Sequence, residues 1–165
     1  MTYYTVFVID LASRRVDVLG STPHPTELFM EQTVRMVTAA DDGLLVRHCV
    51  LIGDRARKWS AAVRRRFAGA GLRVVLTPAR APNATAYAER VVRSIKEECL
   101  DRMIPLGERR FRHALTEFVE HYHRERNHQG LDNRLIADPP VVESRSRVRR
   151  RPRLGGLLNF YEPAA

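Results

Sequence analysis

Asp54 closes a short apolar run, His48-Cys49-Val50-Leu51-Ile52-Gly53. Glu89 stands one turn into a helical stretch that carries Arg93 and Lys96 on the next two turns of the same face. A carboxylate at a strand end, a second on a helix and cations beyond it are the residue types that hold a divalent ion and grip phosphate. Each also has an ordinary reading. Asp54 by itself is a cap for the loop after its strand, and Glu89 by itself is an i,i+4 partner for Arg93. His121, His123 and His128 cluster in the chain, but they read as surface histidines rather than metal ligands. Arg64-Arg65-Arg66 reads as the solvated face of a helix.

The elements that must position these residues follow from periodicity and punctuation. Residues 3–10 form a β-type run of aromatic and β-branched residues, Ala12-Ser13-Arg14-Arg15 a turn, and Val16 to Leu19 a second strand, which together predict a hairpin. A helix is expected from about Glu27 to Ala39, then a loop at Asp41-Asp42-Gly43 and a strand ending at Ile52. A short helix over Trp59 to Ala68 is closed by Gly69 and Gly71, and Leu72 to Leu76 is a strand. Pro78 to Pro82 is an extended linker. In the Glu89 helix the expected buried stripe is Ala84, Ala88, Val91, Val92, Ile95 and Cys99, opposite Thr85, Glu89, Arg93 and Lys96. After Gly107, Phe111, Ala114, Leu115, Phe118 and Tyr122 recur at helical spacing. Strand–helix alternation predicts an α/β fold, and the leading hairpin makes its sheet mixed.

Composition bounds the partners. The chain has 165 residues, enough for one domain with a real core. Its net charge is +9, and only Lys58 and Lys96 among the basic residues are not arginine. The arginine fork suits phosphate and so a nucleic-acid partner. Cys49 and Cys99 are isolated, which argues against a zinc site and for a reducing, cytoplasmic setting. No run has the length of a membrane span.

Several stretches resemble the integrase catalytic core of bacterial transposases. They are Phe7-Val8-Ile9-Asp10-Leu11-Ala12-Ser13-Arg14-Arg15-Val16, Leu51-Ile52-Gly53-Asp54-Arg55, and Ala84-Thr85-Ala86-Tyr87-Ala88-Glu89-Arg90 through Glu98-Cys99-Leu100-Asp101. His121-Tyr122-His123-Arg124-Glu125-Arg126-Asn127-His128-Gln129-Gly130-Leu131 is similar to that family's closing Tyr-Asn-x-x-Arg-Pro-His-x-x-Leu. The resemblance implies an RNase H-like fold, a mixed sheet flanked by helices, and a DDE site of two Asp and one Glu holding two divalent ions. By position, Asp54 matches the second Asp and Glu89 the Glu, so both are implied catalytic and metal-binding residues for Mg²⁺ or Mn²⁺. Arg93 and Lys96, with Arg55 and Arg90, are implied DNA-binding residues. Ala56, Thr85 and Asn127 depart from the family's usual residues. Asp10 aligns with a strand-end residue that has no catalytic role.

The resemblance also implies a first catalytic Asp on a central strand upstream of the hairpin, and the expectation is that this chain begins after it. Three functions follow: DNA integration by metal-dependent phosphoryl transfer with impaired activity and weak metal binding, a non-catalytic DNA-binding remnant, or an RNase H-like nuclease. The expected partners are transposon ends, target DNA and further copies of the chain. Without the central strand, strand 48–52 is expected to pair directly and antiparallel with strand 3–10. The expected organisation is an integrase-core-like domain over 1–140, incomplete at its N-terminus, and a flexible arginine-rich tail over 141–165.

Overall fold

The computed structural model describes residues 1–39, 45, 50–54, 59–78, 85–137 and 147–163. The expected loop at Asp41-Asp42-Gly43, most of the Pro78 to Pro82 linker, and His48, Cys49, Arg55, Ala56 and Ala84 lie outside these residues. Four helices and three two-stranded sheets are formed among them. No helix among them is long and apolar enough to cross a membrane. The chain divides into two compact units, one of residues 1–7 and 19–86, the other of residues 8–18 and 87–165.

Strands β1 (Tyr4–Ile9) and β2 (Val16–Thr22) are hydrogen-bonded neighbours, as the hairpin pattern predicts. The turn is closed by Asp10 N donating to Arg15 O at 2.9 Å. Asp10 organises it: one carboxylate oxygen accepts from Ala12 N and the other from the Ser13 hydroxyl, both at 2.9 Å. This is the local Asx geometry that favours turns, and it gives Asp10 a structural task.

In the first unit, Thr26 caps helix α1 (Glu27–Val37) through Phe29 N, and Ser60 caps helix α2 (Ala61–Gly69) through Val63 N. The Ser60 hydroxyl also donates to Glu27 at 2.7 Å, tying the two helix starts together. Strands β3 (Val50–Gly53) and β4 (Arg73–Leu76) pair in parallel with α2 as the crossover. Met30, Val34 and Val37 of α1 meet Val63 and Phe67 of α2, Leu72 and Val6, with Leu51 and Val74 packed against them from one face of the sheet. Alternation sends Val50, Ile52 and Val75 to the other face, where they are exposed.

The direct β1–β3 pairing expected from the sequence is not formed among the described residues. β3 takes β4 as its partner because the α2 crossover brings that strand alongside it. Val6 is nevertheless buried, in the cluster with Met30, Val34, Val37, Val63 and Phe67.

In the second unit, helix α3 (Ala86–Glu98) is followed by helix α4 (Glu108–Arg124). Gly107, at φ 84°, turns the chain into α4 through a conformation that favours glycine. Phe111, Ala114, Leu115, Phe118 and Tyr122 are all buried, as their spacing predicts. The covered stripe of α3 is the expected one except at Val92, with Ala88 and Ile95 half-buried. Val91, Ser94 and Cys99 are buried while Val92 is exposed. Hydropathy alone does not separate Val91 from Val92, and the i, i+3, i+8 geometry selects the former.

The solvated tail expected after residue 140 is instead a hairpin where it is described. Strand β5 (Val148–Arg153) pairs antiparallel with strand β6 (Leu158–Pro163). Its connection needs glycine. Gly156 has φ 94°, and a Cβ there would stand 3.1 Å from the Arg150 guanidinium.

Candidate metal and DNA-binding residues

Asp54 follows the last residue of β3 directly and is exposed. Its Oδ1 accepts a hydrogen bond from Trp59 Nε1 at 2.6 Å, and the Trp59 ring leans on Phe67 with centroids 6.2 Å apart. A core aromatic therefore orients the carboxylate. Glu89 lies in the first turn of α3 and is exposed, where the helix dipole favours a negative charge. Arg90, Arg93 and Lys96 are exposed on the same helix. The division of α3 into a buried stripe and an open carboxylate–cation face is thus observed. Asp54 belongs to the first unit and Glu89 to the second, and each is held by its own element. Arg64, Arg65 and Arg66 are exposed as expected, with Arg66 paired to Glu31 at 3.2 Å.

Tyr87, two residues before Glu89, was not singled out by sequence, and neither was its partner. The Arg14 guanidinium lies 3.8 Å from the Tyr87 ring centroid and donates to its hydroxyl at 3.0 Å. Arg14 adopts φ 64°, unusual for a residue other than glycine. This contact joins the β1–β2 turn to the first turn of α3, the turn that carries Glu89. At the other end of α3, Arg126 clamps Glu98 through Nε at 3.1 Å and Nη2 at 2.7 Å.

The closing motif is a set of structural locks. The three histidines expected at the surface are buried, because each has a fixed hydrogen bond to satisfy its ring. His123 Nε2 accepts from Val16 N at 3.0 Å. His128 Nε2 lies 2.7 Å from Tyr122 O, and its ring meets Tyr122 edge-on at 4.5 Å. His121 Nδ1 contacts Glu125 at 3.0 Å. Arg153 of β5 donates to both Glu125 oxygens, the shortest contact 2.7 Å, and to Glu117 at 3.0 Å. Burial pushes the Glu125 carboxyl up, but the Arg153 and His121 bonds outweigh it and hold the group below its ordinary value.

Burial, as the largest influence, holds both His123 and His128 below the ordinary imidazole value, with the nearby Arg15 and Arg126 charges respectively adding to it. A base whose folded pKa is depressed binds its proton more readily when unfolded. Its contribution to stability is complete above the unfolded value, about 6.5, and is lost as pH falls below it. Glu125 acts in the same direction at lower pH, since its depressed value means stability lost as pH falls past the ordinary carboxylate range. Thermal unfolding followed from pH 8 to pH 4 is expected to show a falling midpoint that begins near pH 6.5. A His123→Gln, His128→Gln variant that keeps the full decline between pH 6.5 and 5 would contradict this assignment.

Residues 70–135 match the family described as Integrase core domain. The match supports an integrase or transposase catalytic core. It spans β4, α3 with Glu89, α4 and the closing motif through Leu131, the part of the resemblance with the most specific residues. No curated protein matches the chain. Among the described residues no group of three or more His, Cys, Asp or Glu is gathered to hold a metal ion. The chemistry of the donor set still fits the ion that integrase cores use. Asp54 and Glu89 are exposed carboxylates, and Mg²⁺ takes carboxylate oxygen while keeping several waters. The histidines, fixed in hydrogen bonds, do not enter that set.

Proposed function

We propose that this chain acts on DNA as the catalytic-core portion of a DDE integrase or transposase, with Asp54 and Glu89 as two of the carboxylates that hold Mg²⁺ or Mn²⁺. The observation that carries this reading is the family match over residues 70–135, with Glu89 on the exposed face of α3 beside Arg90, Arg93 and Lys96. Held by Asp54 and Glu89, the ions would supply Lewis-acid stabilisation for an in-line phosphoryl transfer. Trp59 orients the Asp54 carboxylate, and the Arg14–Tyr87 stack holds the turn that presents Glu89. Arg90, Arg93 and Lys96 take backbone phosphates, and Arg55 is assigned the same role. Such contacts fix register on DNA without reading its sequence. Several copies would assemble on the DNA ends.

Two carboxylates are fewer than the three of the DDE set. The 165-residue chain assayed by itself is therefore expected to bind DNA and a divalent ion and to transfer strands weakly or not at all. DNA binding without catalysis is the second reading, favoured by the same exposed basic face of α3. Mn²⁺ titration followed by water-proton relaxation tests the metal assignment. Binding is expected to weaken about tenfold or more in Asp54→Asn and in Glu89→Gln, since an ion here has few other ligands. Unchanged Mn²⁺ binding in both variants would remove these residues from the site. Metal-dependent strand transfer by the chain alone, lost in Asp54→Asn, would sink the second reading.

A further inference from the structure

The β5–β6 hairpin is used by neither the metal site nor the α3 face. Leu158 and Arg153 anchor it, the first buried and the second in its two-carboxylate clamp. Residues directly opposite in an antiparallel pair share a face. Arg150 stands opposite Tyr161, and both are exposed, Tyr161 to 62%. The Arg150 side chain is held in place by Nε donating to Asn159 Oδ1 at 2.8 Å. Arg149 stands opposite Glu162 on the other face, where Arg151 also reaches Glu162 at 3.9 Å, while among the described residues Arg150 has no carboxylate partner. The hairpin thus offers an exposed aromatic beside a cation that has no carboxylate partner among the described residues, on a strand pair pinned at its other end.

We infer that this hairpin binds unpaired DNA strand, with Tyr161 as a stacking platform for a base and Arg150 on a phosphate. Charge complementarity selects a polyanion. The exposed aromatic beside Arg150 selects one whose bases are free to stack, as in single-strand sites. Duplex DNA would use Arg150 and leave Tyr161 idle. The choice of DNA rests on the function proposed above, but the site is separate from it. Mn²⁺ titration reads Asp54 and Glu89, and the Tyr161 comparison reads the hairpin, so either idea can fail alone.

Fluorescence anisotropy with the full chain tests this, using labelled oligothymidylate, a blunt DNA duplex and dextran sulfate. Tyr161→Ala is expected to weaken oligothymidylate binding about fivefold or more and to leave the other two ligands unaffected, while Tyr161→Phe retains binding. Arg150→Gln should reduce the salt slope on oligothymidylate by about 0.7, the value for one phosphate contact. Equal losses on all three ligands, or no loss with Tyr161→Ala, would overturn the stacking platform. An unchanged salt slope would overturn the Arg150 contact. Tighter binding of oligouridylate than of oligothymidylate would overturn the assignment to DNA.

Discussion

Arg153→Ala is expected to destabilise the second unit by about 3 to 5 kcal/mol, the usual cost of removing one partner from a buried ion pair. The Arg153 side chain is 13% exposed and that of Glu125 only 4%. Without the guanidinium, Glu125 keeps its burial and loses its principal hydrogen bonds, so an uncompensated charge stays in a poorly solvated place. Two controls separate this from lost packing. Combining Arg153→Met with Glu125→Gln should recover part of the loss, because a removed pair costs less than a broken one. The penalty in Arg153→Ala should also shrink as pH falls, because the Glu125 carboxyl, now governed by burial, protonates more easily folded than unfolded. Local opening is readable by hydrogen exchange of the β5–β6 amides. Wild-type protection in Arg153→Ala would show that the clamp is not what holds the hairpin.

Phe118→Ala should cost about 3 to 5 kcal/mol, the range for a fully buried aromatic. Phe118 is 1% exposed and lies in the middle of α4, its ring 5.8 Å from that of Tyr122. The lost ring takes away buried apolar area and one side of the Tyr122 packing. Tyr122 in turn supports His128 through its carbonyl and its ring, so the damage extends into the closing motif. Phe118→Leu, which keeps most of the volume, should cost about 1.5 kcal/mol or less. Denaturant unfolding that gave the two variants equal midpoints would show that the site is not tightly packed.

Much of this protein is legible without coordinates, for identifiable reasons. α4 follows from the spacing of Phe111, Leu115, Phe118 and Tyr122, since a helix with one apolar stripe can bury it in only one way. The hairpin at residues 4–22 follows from its β-branched runs and from Asp10, whose side chain makes a turn locally. The candidate residues Asp54, Glu89, Arg93 and Lys96 come from stretches that resemble the integrase core, and all four are exposed.

Other features depend on partners far away in the chain. Residues 148–153 carry the composition of a disordered tail, yet they form a strand because Arg153 meets Glu125 and Glu117 and Leu158 finds a buried place. Single residues and their near neighbours carry no record of such a contact. The three histidines look like surface residues because their hydrogen-bond acceptors and donors, such as Val16 N for His123, are fixed only on folding. The Arg14–Tyr87 stack is invisible for the same reason. Periodicity and local turn chemistry are short-range properties, so the sequence alone determined the helices, the turns and the candidate residues. Charge burial and cross-element hydrogen bonds cost free energy unless distant groups satisfy them, so only the tertiary structure decided which charges went inside and what holds the arginine hairpin.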